Sequence, residues 1–220
     1  MKKLVVVSAG LSQPSSTRLL ADRLTAAVEH RLASAGSPSA GSTTAGSTTE
    51  VIELRDLARD ITDNLLTGFP SPKLAAAIEA LSTADGAIFV TPIFSTSYSG
   101  LFKSFIDVLD PQALTALPVL MGATGGTERH SLALDYAIRP LFAYLHAVVV
   151  PTGVYAASSD WGSAGVSTGS ATEISGLPER IDRAASELAA LMEVSDRSQL
   201  VRDPFALPPG FSPVGGFGAQ

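Results

Sequence analysis

Apolar positions along the chain follow two rhythms that alternate from end to end. Short, mostly apolar runs occur at Leu4 to Val7, Val51 to Leu54, Gly86 to Val90, Leu117 to Ala123 and Ala147 to Val150. Their length and β-branched content are those of buried strands. Between them the spacing becomes helical. Leu19, Leu20, Leu24, Ala27 and Val28 share one face, and Leu101, Phe102, Phe105, Val108 and Leu109 share another. Pro72 offers a favourable start to a helix through Leu81, and Leu177 to Met192 turns Ile181, Leu188 and Leu191 to one side. A further helix is expected from Glu128 to His146, kinked or broken at Pro140, which removes one backbone bond. Five strands alternating with helices predict a three-layer α/β fold with a parallel sheet. In such a sheet ligands bind beyond the carboxyl ends of the strands, where the order reverses.

The departures from this rhythm have readings of their own. Ser34 to Thr49 contains only Ser, Ala, Gly, Pro and Thr and repeats Ala40-Gly41-Ser42-Thr43-Thr44 at once as Ala45 to Thr49. With no apolar side chain to offset ordering entropy, it is expected to be a flexible loop insertion at residues 34–49. Arg55 to Asp63 interleaves Asp56, Asp60 and Asp63 with Arg55 and Arg59 and reads as solvated surface rather than a metal site. The Gly- and Ser-rich connection after Val150, with Trp161, reads as a lid or dimer element. One domain is expected over residues 1–196, followed by a Pro/Gly-rich tail at residues 197–220 that is loose by default.

Composition narrows the function. The chain has 220 residues, 45% hydrophobic and 16% charged, which suits one well-cored domain. A formal charge of −6 argues against nucleic acid as a partner, and the absence of cysteine excludes disulfides and thiol catalysis. No apolar run approaches the roughly 18 residues of a membrane span, and the short amino-terminal run does not resemble a signal peptide, so a cytoplasmic location is expected.

Candidate chemistry sits in the loops after strands one, three and four. The first, Gly10-Leu11-Ser12-Gln13-Pro14-Ser15-Ser16-Thr17-Arg18, feeds a helix amino terminus. Free N–H groups and the helix dipole make such a place suited to an anion, with Ser12, Ser16 and Thr17 as hydroxyl donors and Arg18 as a charge. On these residues alone, an ordinary serine-rich turn with an N-cap is an equal reading. Neither the G-x-G-x-x-G nor the P-loop spacing is present. In the second loop Pro92 is expected to stop the strand, and Ser99 and Gly100 to open a helix. In the third, Gly125 and Gly126 let backbone approach a flat ligand, while Thr127 can cap the next turn. His30, His130 and His146 lack metal spacing, and no G-x-S-x-G elbow occurs. A receiver domain is excluded by Ser8 and Thr91, which stand where it needs acids.

Thr91-Pro92-Ile93-Phe94-Ser95-Thr96-Ser97-Tyr98-Ser99-Gly100-Leu101-Phe102-Lys103 is similar to the second flavin-contacting loop of the NADPH-dependent FMN reductase family. Within it the chain most resembles the reductase partners of two-component flavin monooxygenases. Thr124-Gly125-Gly126-Thr127, followed by Leu134-Asp135-Tyr136-Ala137-Ile138-Arg139-Pro140-Leu141, is a second match, and the resemblance runs over residues 3 to 155. One departure is Gln13, where the family pattern often has arginine.

The resemblance implies a flavodoxin-like five-stranded sheet of order 2-1-3-4-5. It implies that Ser12, Ser16, Thr17 and Arg18 hold the FMN phosphate, and that Pro92, Ile93, Phe94, Ser95 and Ser97 meet the dimethylbenzene-to-N5 side. Thr124, Gly125, Gly126 and Thr127 then face the pyrimidine. His130 borders the flavin or nicotinamide pocket, or is a surface histidine. FMN and NADPH (or NADH) are the implied cofactors, and no acid–base side chain is required for hydride transfer. Further implications are a luciferase-like monooxygenase as partner and a homodimer or homotetramer with the helix from Gly100 and the fourth helix at its interface. A tightly FMN-bound quinone or azo reductase and a flavodoxin-type electron carrier remain as alternatives.

Overall fold

The computed structural model describes residues 1–35, 47–161 and 176–197, together with two short strands at Phe211–Ser212 and Gly216–Phe217. In chain order the elements are β1 Lys2–Ser8, α1 Ser16–Ala35, β2 Ser47–Glu53, α2 Ala58–Thr67, α3 Pro72–Ser82 and β3 Gly86–Phe94. They continue with β4 Ser97–Tyr98, α4 Gly100–Asp107, β5 Pro118–Gly125, α5 Arg139–Tyr144, β6 Val148–Val149, β7 Val154–Ala157 and α6 Leu177–Val194. The main sheet runs β2-β1-β3-β5-β6 with every pair parallel, which is the expected flavodoxin-like order.

Alternation along each strand sends successive side chains to opposite faces, and the helices sort accordingly. Val5, Val7, Ala87, Phe89, Val119 and Met121 pack on the face covered by Leu74, Phe102, Phe105 and Phe142. Leu4, Val6, Ile88, Val90 and Leu120 pack on the other, against Leu20, Leu24 and Val28 of α1 and Ile181, Ala184, Ala185 and Leu188 of α6. The first face is anchored by aromatic contacts: Phe89 lies 4.8 Å from Phe142 and 6.2 Å from Phe102, centroid to centroid.

Several expectations are corrected. Helix α1 continues to Ala35 and β2 already begins at Ser47, so both ends of the expected insertion are regular structure. The β-branched Thr48 and Thr49 suit an edge strand, and only residues 36–46 of that segment lie outside the described residues. Leu19 is exposed, and the buried face of α1 is instead Leu20, Ala21, Leu24, Val28 and Leu32. The segment read as solvated surface does expose Asp56, Arg59 and Asp63, but it also opens α2, which buries Ile61 and ends at a left-handed Gly68. The connection from residue 162 to 175 and the tail from 198 to 210 lie outside the described residues.

Pro92 does not end its strand. The parallel ladder to β5 runs to Pro92, and β3 then exchanges partners, pairing Ile93 with Tyr98 and Phe94 with Ser97 of antiparallel β4. Ser95 and Thr96 close this hairpin with φ of 48° and 67°, the two-residue geometry that normally selects Asn or Gly. The helix expected from Glu128 to His146 is three pieces: a 3-10 turn Glu128–His130, a π turn Leu134–Ile138, and α5. Pro140 lies in the first turn of α5, where its missing N–H is no loss. The fifth strand is likewise interrupted at Pro151; β6 pairs with the start of β5 and β7 with its end.

Arg197, the first residue of the segment read as a tail, is buried. Its guanidinium donates to the carbonyls of Ala84 at 2.8 Å, Ala113 at 2.9 Å, Thr115 at 3.0 Å and Ser82 at 3.3 Å. Burial pulls its pKa down, and nearby Asp85 opposes this. The charge lies at the carboxyl end of α3, where the helix dipole favours a cation.

Two stability predictions follow. Arg197→Ala strips four carbonyls of their donor and is expected to cost upward of about 2 kcal/mol, read from the urea midpoint. Arg197→Lys recovers only part, since an ammonium lacks the planar fork. Thr96→Gly removes a side chain from a left-handed position and is expected to raise stability by about 1 kcal/mol in the same measurement.

Candidate functional site

Parallel pairing brings the carboxyl ends of β1, β3, β5 and β7 to one edge of the sheet. Past β1, Ala9 N–H donates to Val90 O at 2.9 Å, and the chain turns through Gly10. A Cβ on Gly10 would overlap the hydroxyl of Ser15, so glycine is needed for the loop to fold back. Ser15 Oγ accepts from Arg18 N–H at 3.2 Å and caps α1, after a cis Gln13–Pro14 peptide. The other N–H groups of the first turn have no intrahelical acceptor and are available to an anion.

The second loop is tied from within. Thr91 Oγ1 accepts from Ser99 N–H at 3.1 Å, and Ser99 Oγ accepts from Phe102 N–H at 3.2 Å, capping α4. Thr91 and Ser99 are both buried, so the hairpin between them is held at its base while Phe94 stays 48% exposed. First and third loops are joined by a buried hydroxyl pair, Thr17 Oγ1 and Thr124 Oγ1, 2.9 Å apart.

The third loop is shaped by Tyr155 on β7, which is 4% exposed. Its hydroxyl donates to Thr127 O at 2.8 Å and occupies the space where a Cβ of Gly125 would stand. Burial, with Asp160 and Glu128 adding to it, raises the Tyr155 pKa and keeps the phenol a donor. Asp160 orders the following turn. It accepts from Ala157 N–H at 2.7 Å and from Arg180 at 2.8 Å, and Arg180 also donates to Tyr155 O at 2.5 Å.

These loops enclose a cavity of about 440 Å³, within the range of small-molecule sites. Leu11, Ser12, Ser16 and Thr17 line one end and Pro92, Ile93 and Phe94 a side. Thr124, Gly125, Gly126, Ser158 and Trp161 complete the wall. Nine of the residues expected to bind flavin therefore meet at one place: Ser12, Ser16, Thr17, Pro92, Ile93, Phe94, Thr124, Gly125 and Gly126.

The other five lie off the wall. Arg18 is held by Asp22 at 2.7 Å and Glu53 at 2.6 Å, contacts that raise its pKa against the desolvation opposing them. Ser95 is in the exposed hairpin turn, and Ser97 pairs with Phe94. Thr127 presents its carbonyl to Tyr155 and its hydroxyl to Arg129 N–H, and His130 is half-buried in the 3-10 turn.

Leu11, Ser158 and Trp161 were not legible as wall residues, nor Tyr155 as a support. Three of these four depend on β7, whose pairing is a tertiary event beyond Pro151. The one sequence signal was the single tryptophan, whose ring carries the Arg23 guanidinium 5.0 Å from its centroid. Hydroxyl and N–H donors at one end, an apolar side and a glycine turn fit a planar ring that bears an anionic chain, as FMN does. No cluster of metal-ligating side chains occurs among the described residues.

Comparison with known proteins identifies the family. The NADPH-dependent FMN reductase family model matches residues 2–162. The FMN reductase (NADPH) of Pseudomonas aeruginosa is 36% identical over 159 residues, covering 72% of this chain and 78% of that protein. The NADH-dependent FMN reductase SfnF of Pseudomonas fluorescens gives the same identity and coverage, 36% over 159 residues. An oxidoreductase structure from Corynebacterium diphtheriae, 43% identical, superposes with a TM-score of 0.78 over 89% of this chain and 99% of that one. An archaeal flavodoxin at 12% identity, TM-score 0.51, covering 88% of this chain and 99% of its own, shares the fold alone. With the family match spanning most of the chain, the protein belongs to the NADPH-dependent FMN reductase family, oxidoreductases built here on a flavodoxin-like sheet.

Proposed function

We propose that this protein oxidises NADPH or NADH and reduces FMN held in the 440 Å³ cavity. The observation that carries this reading is the convergence of the three loops on one cavity with donors at one end and a glycine turn at the other. FMN, when bound, supplies the hydride-accepting centre. The first turn of α1 with Ser12 and Ser16 binds its phosphate, and Pro92 to Phe94 form the wall for its ring. The glycine turn brings backbone close to the pyrimidine, where N–H groups meet developing negative charge without a titrating side chain. Among the described residues the lining contains no Asp, Glu, His, Lys or Arg.

Exposed Phe94 at the cavity favours a flavin that comes and goes over one permanently enclosed. Reduced FMN is then a product for a luciferase-like flavin-dependent monooxygenase. Exposed Leu132 just ahead of the π turn, Tyr136 on it and Tyr144 on α5 favour assembly as a homodimer or homotetramer through this region. Among the described residues no helix is long and apolar enough to cross a membrane.

The test is the loss of NADPH or NADH absorbance with purified protein, with and without added FMN. Turnover that depends on added FMN, from a protein isolated colourless, is expected. A yellow protein that reduces quinones without added flavin points to the bound-FMN reading, and no flavin-dependent oxidation overturns both. In addition, Gly125→Ala drives a Cβ into the Tyr155 hydroxyl and is expected to weaken FMN binding about tenfold or more. Tyr155→Phe in that background, by removing the obstructing oxygen, is expected to restore part of the binding measured by flavin fluorescence.

A further inference from the structure

Behind the phosphate end of the cavity stands a cation that the cavity wall does not include. Arg55 lies in the 3-10 turn Leu54–Leu57 that follows β2, with its side chain only 20% exposed. It is not the solvated surface residue that its acidic, polar neighbourhood suggests. Its Nη1 donates to Ser12 O at 3.3 Å. The Gln13 side-chain carbonyl, in the amide orientation that satisfies both ends of that group, accepts from the same nitrogen at 2.8 Å and also from Nη2. Nε is buried and makes no hydrogen bond, although Glu53 Oε2 lies 3.2 Å away and Asp56 Oδ1 3.6 Å.

The local charges divide unequally. Arg18 is closed off by Asp22 and by Glu53 Oε1, both in hydrogen-bonding geometry. Arg55 shares Glu53 only through the off-line contact and directs its terminal nitrogens at the loop. The sheet order β2-β1-β3 fixes the side from which it does so. Arg55 follows β2 and reaches the loop after β1 from the β2 side, whereas the wall from Pro92 to Phe94 belongs to β3 on the other side. The Ser12–Gln13 peptide is trans, the cis bond being the next one, and a trans peptide directs its C=O and N–H oppositely. An arginine that holds Ser12 O therefore leaves Gln13 N–H facing away from it.

We propose that Arg55 is a positioning residue for the phosphate end: it locks the Ser12–Gln13 peptide with its N–H toward the cavity and supplies, from behind, the positive charge that the wall lacks. Arg55 thereby makes the site discriminate a phosphorylated flavin from riboflavin. The inference rests on the reading of the cavity as an FMN site. A guanidinium suits the task because its planar fork can hold a backbone carbonyl and a side-chain carbonyl at once.

The test is equilibrium binding of FMN and of riboflavin to the full chain, by quenching of flavin fluorescence, in wild type, Arg55→Gln and Arg55→Lys. Arg55→Gln is expected to weaken FMN about tenfold and to leave riboflavin unchanged, so that the preference for FMN collapses. Arg55→Lys, which keeps the charge but not the fork, is expected to fall between the two and serves as the readout if Arg55→Gln fails to fold. Wild type that binds FMN, with the FMN-to-riboflavin ratio unchanged in both variants, overturns the role of Arg55 alone. A variant that loses both flavins equally also overturns it, because the residue then supports the fold and not the phosphate. Wild type that binds no FMN overturns the proposed function itself.

Discussion

Strand β3 is hydrogen-bonded in parallel on both sides, and the site depends on that constraint. Its ladders to β1 and β5 bring three carboxyl ends to one edge within a few ångströms of register: Ser8 lies opposite Val90, and Pro92 opposite Thr124. A parallel strand cannot be reached by a tight turn, so a helical crossover must intervene on each side and the loops gather at one pole. β3 then breaks its own ladder at the one residue that cannot donate, and takes β4 as a new partner. The hairpin that results carries Phe94 to the cavity. The Thr17–Thr124 hydroxyl pair closes the same arrangement from the other side, joining the first loop to the third.

The cavity does its work with dipoles more than with charges. Among the described residues no ionisable side chain lines it, and the net charge of the chain is −6, so an anion entering it would meet N–H groups, hydroxyls and the α1 dipole. The two arginines nearest the first loop are set back, one paired with carboxylates and one behind the peptide. This economy suits a flavin reductase. Hydride passes between two cofactors that carry their own reactivity, and the protein needs to hold them in place more than to titrate. At the opposite pole Arg197 plays a purely structural part, gathering carbonyls from the ends of two connections ahead of β3 and β5.

Much of this was legible in residue order. The run Gly86 to Val90 announced a central strand, though not its continuation past Pro92 to Phe94, and Ser99 as an N-cap was readable from its position before Gly100. Gly125 reads in the sequence as a glycine that lets backbone approach a flat ligand, whereas the Tyr155 hydroxyl that fills its Cβ space was not legible. Helix α2 and the full length of β2 were obscured by polar and low-complexity composition. The alternation of apolar positions there is weak, because an edge strand and a surface helix bury little. The Ser95-Thr96 turn was hidden for a different reason: neither residue is one that a left-handed pair normally selects, and only pairing with β4 compels the conformation.

What the sequence determined by itself was local: the order of strands and helices, the two-faced strands, the caps, and three loops of suitable chemistry. Those follow from periodicity and from the intrinsic geometry of proline, glycine and the small hydroxyl residues, which act over a few positions. Tertiary structure alone decided which side chains meet across the sheet. It placed Tyr155 beneath Gly125, Trp161 and Ser158 on the cavity wall, Arg18 against Glu53, and Arg55 behind Ser12. Each of those neighbours is distant along the chain or approaches from another strand, and only the register of the ladders sets how far apart they stand.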